Sequence, residues 1–213
     1  MIDPRTDEDL LADYLDGEVA AFRALVERYH DPLLRFLIRL SGGRAAAEDV
    51  FQETFLQVHQ SAATFDGSKR FKPWLFTIAA NKGRDALRRR QRRPAMSLSA
   101  GIDADSERSF VDLLEIDVPD VSERLDQQEL AAAVQRAIDR LTPRLKEVLL
   151  LAYFQKLGYQ QIAEVLGIPL GTVKSRLHAA VASFAKAWQA EARLSDPDAQ
   201  GADEKAASGG EHG

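Results

Sequence analysis

The sequence predicts an all-α protein of two small helical domains joined by a flexible acidic linker, the second domain containing a helix-turn-helix. Three observations carry this. Apolar residues recur at helical spacing from about residue 7 to 94 and again from 122 to 190. The stretch between Asp103 and Glu129 holds ten acids against Arg108 and Arg124, and its first part, to about Pro119, shows no sustained period. Finally, Gly167 and Pro169 separate two short apolar faces in the way a tight turn between helices requires.

The elements follow in order. Thr6 is placed to cap a first helix, with Asp7, Glu8 and Asp9 suiting its positive end, and Leu10, Leu11, Tyr14 and Leu15 form its apolar face up to Gly17. Val19, Phe22, Leu25, Val26 and Tyr29 continue after Pro32 as Leu33, Phe36, Leu37 and Leu40. Pro32 fits either a new helix start or a kink in a long helix. Ser41, Gly42 and Gly43 mark a loop.

A further helix is predicted from about Ala45 to Gln60, burying Val50, Phe51, Phe55 and Val58. Asp49, Glu53 and Gln57 then share an outer face at four-residue spacing, with Gln52 and Leu56 beside them. Pattern alone leaves a solvated surface and a docking surface open, the solvated one being commoner. A polar loop from Ser61 to Arg70, with Phe65 inside it, leads to the segment from Phe71 to Arg93. There Phe71, Trp74, Leu75 and Ile78 are expected to pack, while Lys82, Arg84, Arg88, Arg89, Arg90, Arg92 and Arg93 face one acid, Asp85. In a chain of net charge −5, such local density suits a polyanion, because phosphate binding depends on where cations lie more than on their total. A solvated helix end is the plainer alternative.

The second domain begins near Val121, with Leu125, Leu130, Val134, Ile138 and Leu141 on one face. Thr142 and Pro143 then start a helix carrying Leu145, Val148, Leu149, Ala152 and Tyr153. Ile162, Ala163 and Leu166 precede the Gly167 turn, and Val173, Leu177 and Val181 point inward from a helix predicted over 171–185. Thr172, Lys174, Ser175, Arg176 and His178 lie near its start, where side chains can enter a major groove. Residues 191–213, rich in Gly, Ala, Ser and acids, are expected to form a disordered tail.

Composition excludes several classes. The 213 residues are 45% hydrophobic with no cysteine, so neither a disulfide framework nor a thiolate metal site exists. His30, His59, His178 and His212 share no metal-ligand spacing, and no glycine-rich phosphate loop follows a strand. No catalytic residue, cofactor or metal is expected. The opening MIDPRTDEDLL has no basic and apolar leader pattern, and no apolar run reaches membrane-span length, so a cytoplasmic protein without direct membrane insertion is expected.

Together these stretches resemble a bacterial sigma-70 family RNA polymerase sigma factor of the extracytoplasmic-function subfamily. AEDVFQETFLQVHQ at 47–60 is similar to the family's polymerase-binding helix, FKPWLFTIAANKGRDALRRR at 71–90 to its promoter-melting and minus-10 segment, and 141–180 to its minus-35 domain. The resemblance implies a non-catalytic specificity subunit that binds core RNA polymerase and directs promoter recognition, melting and initiation at a restricted promoter set.

It also implies site residues. Asp49, Gln52, Glu53, Leu56 and Gln57 become core-polymerase contacts. Phe65, Asp66, Lys69, Arg70, Asn81, Lys82, Arg84, Asp85 and Arg88 become minus-10 contacts, and Thr172, Lys174, Ser175, Arg176 and His178 minus-35 contacts. The implied domains are 1–94, a linker 95–121, and 122–190. Partners are core polymerase, promoter DNA and an anti-sigma factor. Two departures stand out: Gly158 occupies a position where the family often has a hydroxyl cap, and Ala179 to Ser183 lack the arginines that often follow. A stand-alone helix-turn-helix regulator is the alternative, but it leaves residues 45–93 without a task.

Overall fold

The computed structural model describes residues 3–91 and 127–194. These residues are all-α, in two helical clusters along the chain: α1 (Asp7–Leu15), α2 (Val19–Ser41), α3 (Arg44–Ser61) and α4 (Phe71–Gln91), then α5 (Gln127–Asp139), α6 (Pro143–Leu149), α7 (Tyr159–Leu166) and α8 (Leu170–Leu194). The acidic linker with its apolar patch at Phe110, Val111, Leu113 and Leu114, the cations Arg92 and Arg93, and the tail from 195 lie outside the described residues. By proximity, 3–91 and 143–178 form one compact unit, while 127–142 and 179–194 form a second.

In the first unit, α1 starts as its sequence demands. Thr6 Oγ1 accepts from Asp9 N–H at 3.1 Å, and Asp9 returns the bond to Thr6 N–H at 3.4 Å, a reciprocal capping box. The Pro32 question resolves to one helix, because α2 runs through the proline without ending. An interior proline costs about 3 kcal/mol. Burial of Leu33, Leu34, Phe36, Leu37, Ile38 and Leu40 on the next two turns offsets this several times over, at about 1.5–3 kcal/mol for each large side chain. Gly42, at φ 71°, then ends α2 in a left-handed conformation that costs glycine little.

α4 packs against α2 at very close range. A Cβ built on Gly83 would lie 2.6 Å from Leu40 Cδ2, so any larger residue here would force the buried Leu40 side chain to move. The buried side of α4 is broader than the one expected: Phe71, Leu75, Phe76, Ala79 and Ala80 are all sealed, whereas Trp74 and Ile78 are only half-buried. Phe76, not predicted as core, meets Phe36 edge-on at 5.3 Å. Val19 also departs from expectation. It is 74% exposed, since it opens α2 before the helix reaches the core. Phe51 is half-buried, edge-on to His30 at 5.4 Å.

A five-residue π-helical turn, Leu150–Phe154, follows α6. It is the feature least legible in the sequence, since a π turn differs from an α turn by one hydrogen-bond register with no distinct residue preference. Gly167, at φ 62°, makes the turn between α7 and α8. In the second unit Leu130, Val134, Ile138, Phe184 and Trp188 form the apolar interior. α8 extends beyond the predicted 185 to Leu194. Within that extension Glu191, only 4% exposed, pairs with Arg136 at 2.7 Å and Arg140 at 2.5 Å, which explains how a buried acid is accommodated near the helix end.

Candidate functional site

α3 presents the predicted outer face as a surface. Asp49 and Gln52 are exposed, Glu53 and Gln57 are partly exposed, and Leu56 is 56% exposed, one of five large apolar side chains in the described residues left in solvent. The reason is periodic. With Val50, Thr54, Phe55 and Val58 buried, the residues on the opposite side have nowhere to pack. Gln57 Nε2 donates to Ser61 Oγ at 2.8 Å, and Glu53 receives Arg89 of α4 at 3.3 Å.

The loop before α4 is folded on itself. Asp66 accepts from both the N–H and the hydroxyl of Ser68, at 3.1 and 2.7 Å, and its carbonyl accepts from Lys69 N–H at 2.9 Å. The two Ser68 bonds hold the Asp66 carboxyl below its ordinary range. Asp66 therefore shapes the turn that carries Lys69 and Arg70, both exposed. Phe65 leans on Trp74 with ring centres 4.9 Å apart, which makes the half-exposed Trp74 part of this surface instead of the core in which sequence reasoning left it.

The basic helix is not a uniform row of free cations. Arg90 donates to the Ser41 carbonyl at 2.9 Å and so ties down the end of α2. Lys72 donates to the Gln155 carbonyl at 2.8 Å, and burial lowers its pKa despite the attraction of Asp7. Arg88 meets Asp85 at 3.1 Å, while Arg84 meets Asn81 at 2.5 Å. Asn81, Asp85 and Arg88 are exposed, and Lys82 and Arg84 are partly so. Local charge density showed where cations cluster. It could not show which of them serve the fold.

Glu147 of α6 was missed altogether. Its side chain is 6% exposed, and Arg84 Nε lies 3.6 Å away. Burial raises its pKa, against the opposing pull of Arg84, Arg176 and Arg88. The sign follows from proton linkage. Above the ordinary carboxylate range the unfolded chain releases this proton before the folded chain does, so Glu147 contributes stability at low pH that is lost as pH rises through the folded value. Glu147→Gln is therefore expected to flatten the fall of stability from acid to neutral pH relative to wild type. Urea unfolding of both chains across that range checks it, and parallel curves would refute it.

On α8, Lys174, Ser175 and His178 are exposed, and Thr172 and Arg176 are partly exposed, around and opposite the buried stripe of Val173 and Leu177. Gly158 does begin α7 without a side-chain cap, yet its N–H donates to Gln161 Oε1 at 2.9 Å. Half of the usual reciprocal pair is thus retained. Among the described residues no cluster of three or more His, Asp or Glu could hold a metal, and no helix is long and apolar enough to cross a membrane.

Comparison with known proteins covers both halves of the chain. Residues 25–93 match the model of sigma-70 region 2, and residues 131–183 that of sigma-70 region 4. The RNA polymerase sigma-H factor of Pseudomonas aeruginosa is 32% identical over 89% of this chain and 97% of its own length. An ECF sigma-E factor of Haemophilus influenzae is 33% identical over 83% and 92%, and SigW of Bacillus subtilis 30% over 76% and 86%.

In solved structures the fold is shared with CnrH in complex with the cytosolic domain of CnrY, at TM-score 0.63 and 23% identity over 87% of this chain and 99% of that one. It is shared too with RpoE in complex with the anti-sigma factor NepR from Bartonella quintana, at 0.60 and 23% over 79% and 97%. With both regions matched in order and relatives covered almost end to end, the chain belongs to the extracytoplasmic-function branch of the sigma-70 family, the non-catalytic subunits that direct RNA polymerase to promoters.

Proposed function

We propose that this sigma factor docks core polymerase through Asp49, Gln52, Glu53, Leu56 and Gln57. In the same reading it opens the minus-10 element with Phe65, Asp66, Lys69, Arg70, Asn81, Lys82, Arg84, Asp85 and Arg88, and reads the minus-35 element with Thr172, Lys174, Ser175, Arg176 and His178. The observation that carries the docking assignment is Leu56, 56% exposed within an acidic and polar helical face. An apolar anchor ringed by polar groups is how a helix offers a partner both affinity and register.

Opening follows from the loop and α4. Holding a base outside the duplex has to offset an unstacking cost of a few kcal/mol, and the cations of α4 supply favourable field to the separated strand. Two modest contacts on one promoter reinforce each other through effective concentration when both modules ride on polymerase. The domain division 1–94, 95–121 and 122–190 belongs to this reading, as do a cytoplasmic place of work beside polymerase and a restricted promoter set. An anti-sigma partner is proposed by analogy with the complexes of the two structural neighbours.

Run-off transcription with the purified chain and sigma-free core polymerase on a promoter library, with permanganate mapping of unpaired thymines, tests the whole reading. Defined starts and reactive thymines near minus-10 are expected. For the docking face, Leu56→Asp with Glu53→Lys should weaken core binding at least tenfold, about 1.4 kcal/mol. Unchanged binding would move the docking surface elsewhere.

A further inference from the structure

One acid of α1, Glu8, reaches the point at which the Phe65–Arg70 loop becomes α4, and its neighbour Asp7 bonds to residues of α2 beside it. Glu8 Oε1 accepts the Phe71 N–H at 2.8 Å, a bond between residues far apart in the chain. It satisfies one of the donors that a helix start leaves without an internal partner, and it sets a carboxylate at the positive end of α4. Asp7 accepts from the Tyr29 hydroxyl and, at 2.5 Å, from Arg28 Nη1. The Tyr29 ring in turn lies 5.6 Å from that of Phe71.

Phe71 is the residue at which the loop ends and α4 begins. It is fully buried, and its ring also faces Phe65 at 6.3 Å and Trp74 at 5.8 Å. The Asp66 turn holds the loop's middle together, but its bonds run only among Asp66, Ser68 and Lys69. Beside the Phe65–Trp74 contact, what orients that turn relative to α4 is the junction, where Glu8 grips the Phe71 backbone and Asp7 holds Tyr29 against the Phe71 ring. α1 lies outside the matched region 2 stretch, which begins at residue 25.

We infer that Glu8 is a positioning residue for promoter opening: by fixing the Phe71 backbone it sets where Phe65, Lys69 and Arg70 meet the separating strand. A loop is a less precise platform than a helix unless its anchors are held from outside, so loosening the junction lowers opening without touching the docking face on α3. The inference rests on the proposed strand-opening role of this loop.

The test uses the full chain with core polymerase on one promoter in two forms, duplex and already unpaired around minus-10. Glu8→Ala is expected to lower permanganate-reactive thymines on the duplex roughly fivefold, the effect of about one lost capping bond. Core affinity and transcription from the unpaired template should stay at wild-type level. Glu8→Gln should restore opening, since its amide oxygen can accept the same N–H. If circular dichroism shows Glu8→Ala unfolded, Glu8→Asp, too short to reach Phe71, takes its place with the same expectations.

Equal loss on both templates, or a Glu8→Gln defect as deep as that of Glu8→Ala, would overturn the inference. So would wild-type opening by both Glu8→Ala and Glu8→Asp. The strand-opening reading fails differently, on the wild-type chain, if core polymerase carrying it makes no thymine reactive on the duplex.

Discussion

Phe36→Ala will lower the stability of the first unit by about 3–5 kcal/mol, the range for deleting a fully buried aromatic ring whose site cannot collapse. Phe36 has no exposed surface and meets Phe76 at 5.3 Å, so its loss removes one half of the α2–α4 aromatic contact as well as the transfer energy of the ring. The surroundings are poorly placed to relax, because α4 crosses so close at Gly83 that an added Cβ would lie 2.6 Å from Leu40 on the next turn of α2. Urea unfolding followed by far-UV circular dichroism measures the effect. A loss below about 1 kcal/mol would mean that the core repacks around the void, contrary to the tight crossing described. Because α4 follows directly from the loop and carries the basic residues, and α2 is the helix it packs on, promoter opening should fall before the chain is globally unfolded.

Arg176→Ala is expected to cost polymerase carrying this subunit about 1–3 kcal/mol in affinity for its cognate promoter, roughly 5- to 150-fold, if the guanidinium reads a base edge from the start of α8. Lys174→Ala provides the contrast. Lys174 is exposed one turn from the helix start, and a phosphate contact there would weaken every promoter alike and reduce the salt dependence of binding by about one counterion. Fluorescence anisotropy on promoters with intact and scrambled upstream elements, each at two salt concentrations, separates the cases. A loss for Arg176→Ala that is the same on both templates would demote it to a phosphate contact. Because Ala179, Ala180, Ala182 and Ser183 follow without a cation, few later contacts are available to mask either effect.

Legibility in the sequence followed the range of the forces involved. The Thr6 cap of α1, the Gly42 and Gly167 turns and the buried stripe of α3, Phe51 apart, were readable because each depends on residues within one or two turns of each other. Leu56 was legible as an outward residue for the same reason. The course of Pro32 was not, since a proline's local penalty and the burial gained beyond it differ by an amount no local pattern encodes. The apolar neighbours of Trp74 place it in the core by pattern, yet it is only half-buried and rests on Phe65 of the preceding loop, a contact no local pattern encodes.

By itself the sequence determined an all-α chain in two helical clusters, the outer face of α3, the cation density of α4 and the turn of the helix-turn-helix, and with these the sigma-factor family. All are written in period, composition and short-range spacing. Only the tertiary structure decided which cations are committed inside the fold, as Arg90 is to Ser41 and Lys72 to Gln155, and that Glu147 faces Arg84. It alone brought Glu8 to the start of α4. The physical reason is that charge pairing and capping act over a few ångströms in space whatever the separation along the chain, so their partners appear only once the helices are packed.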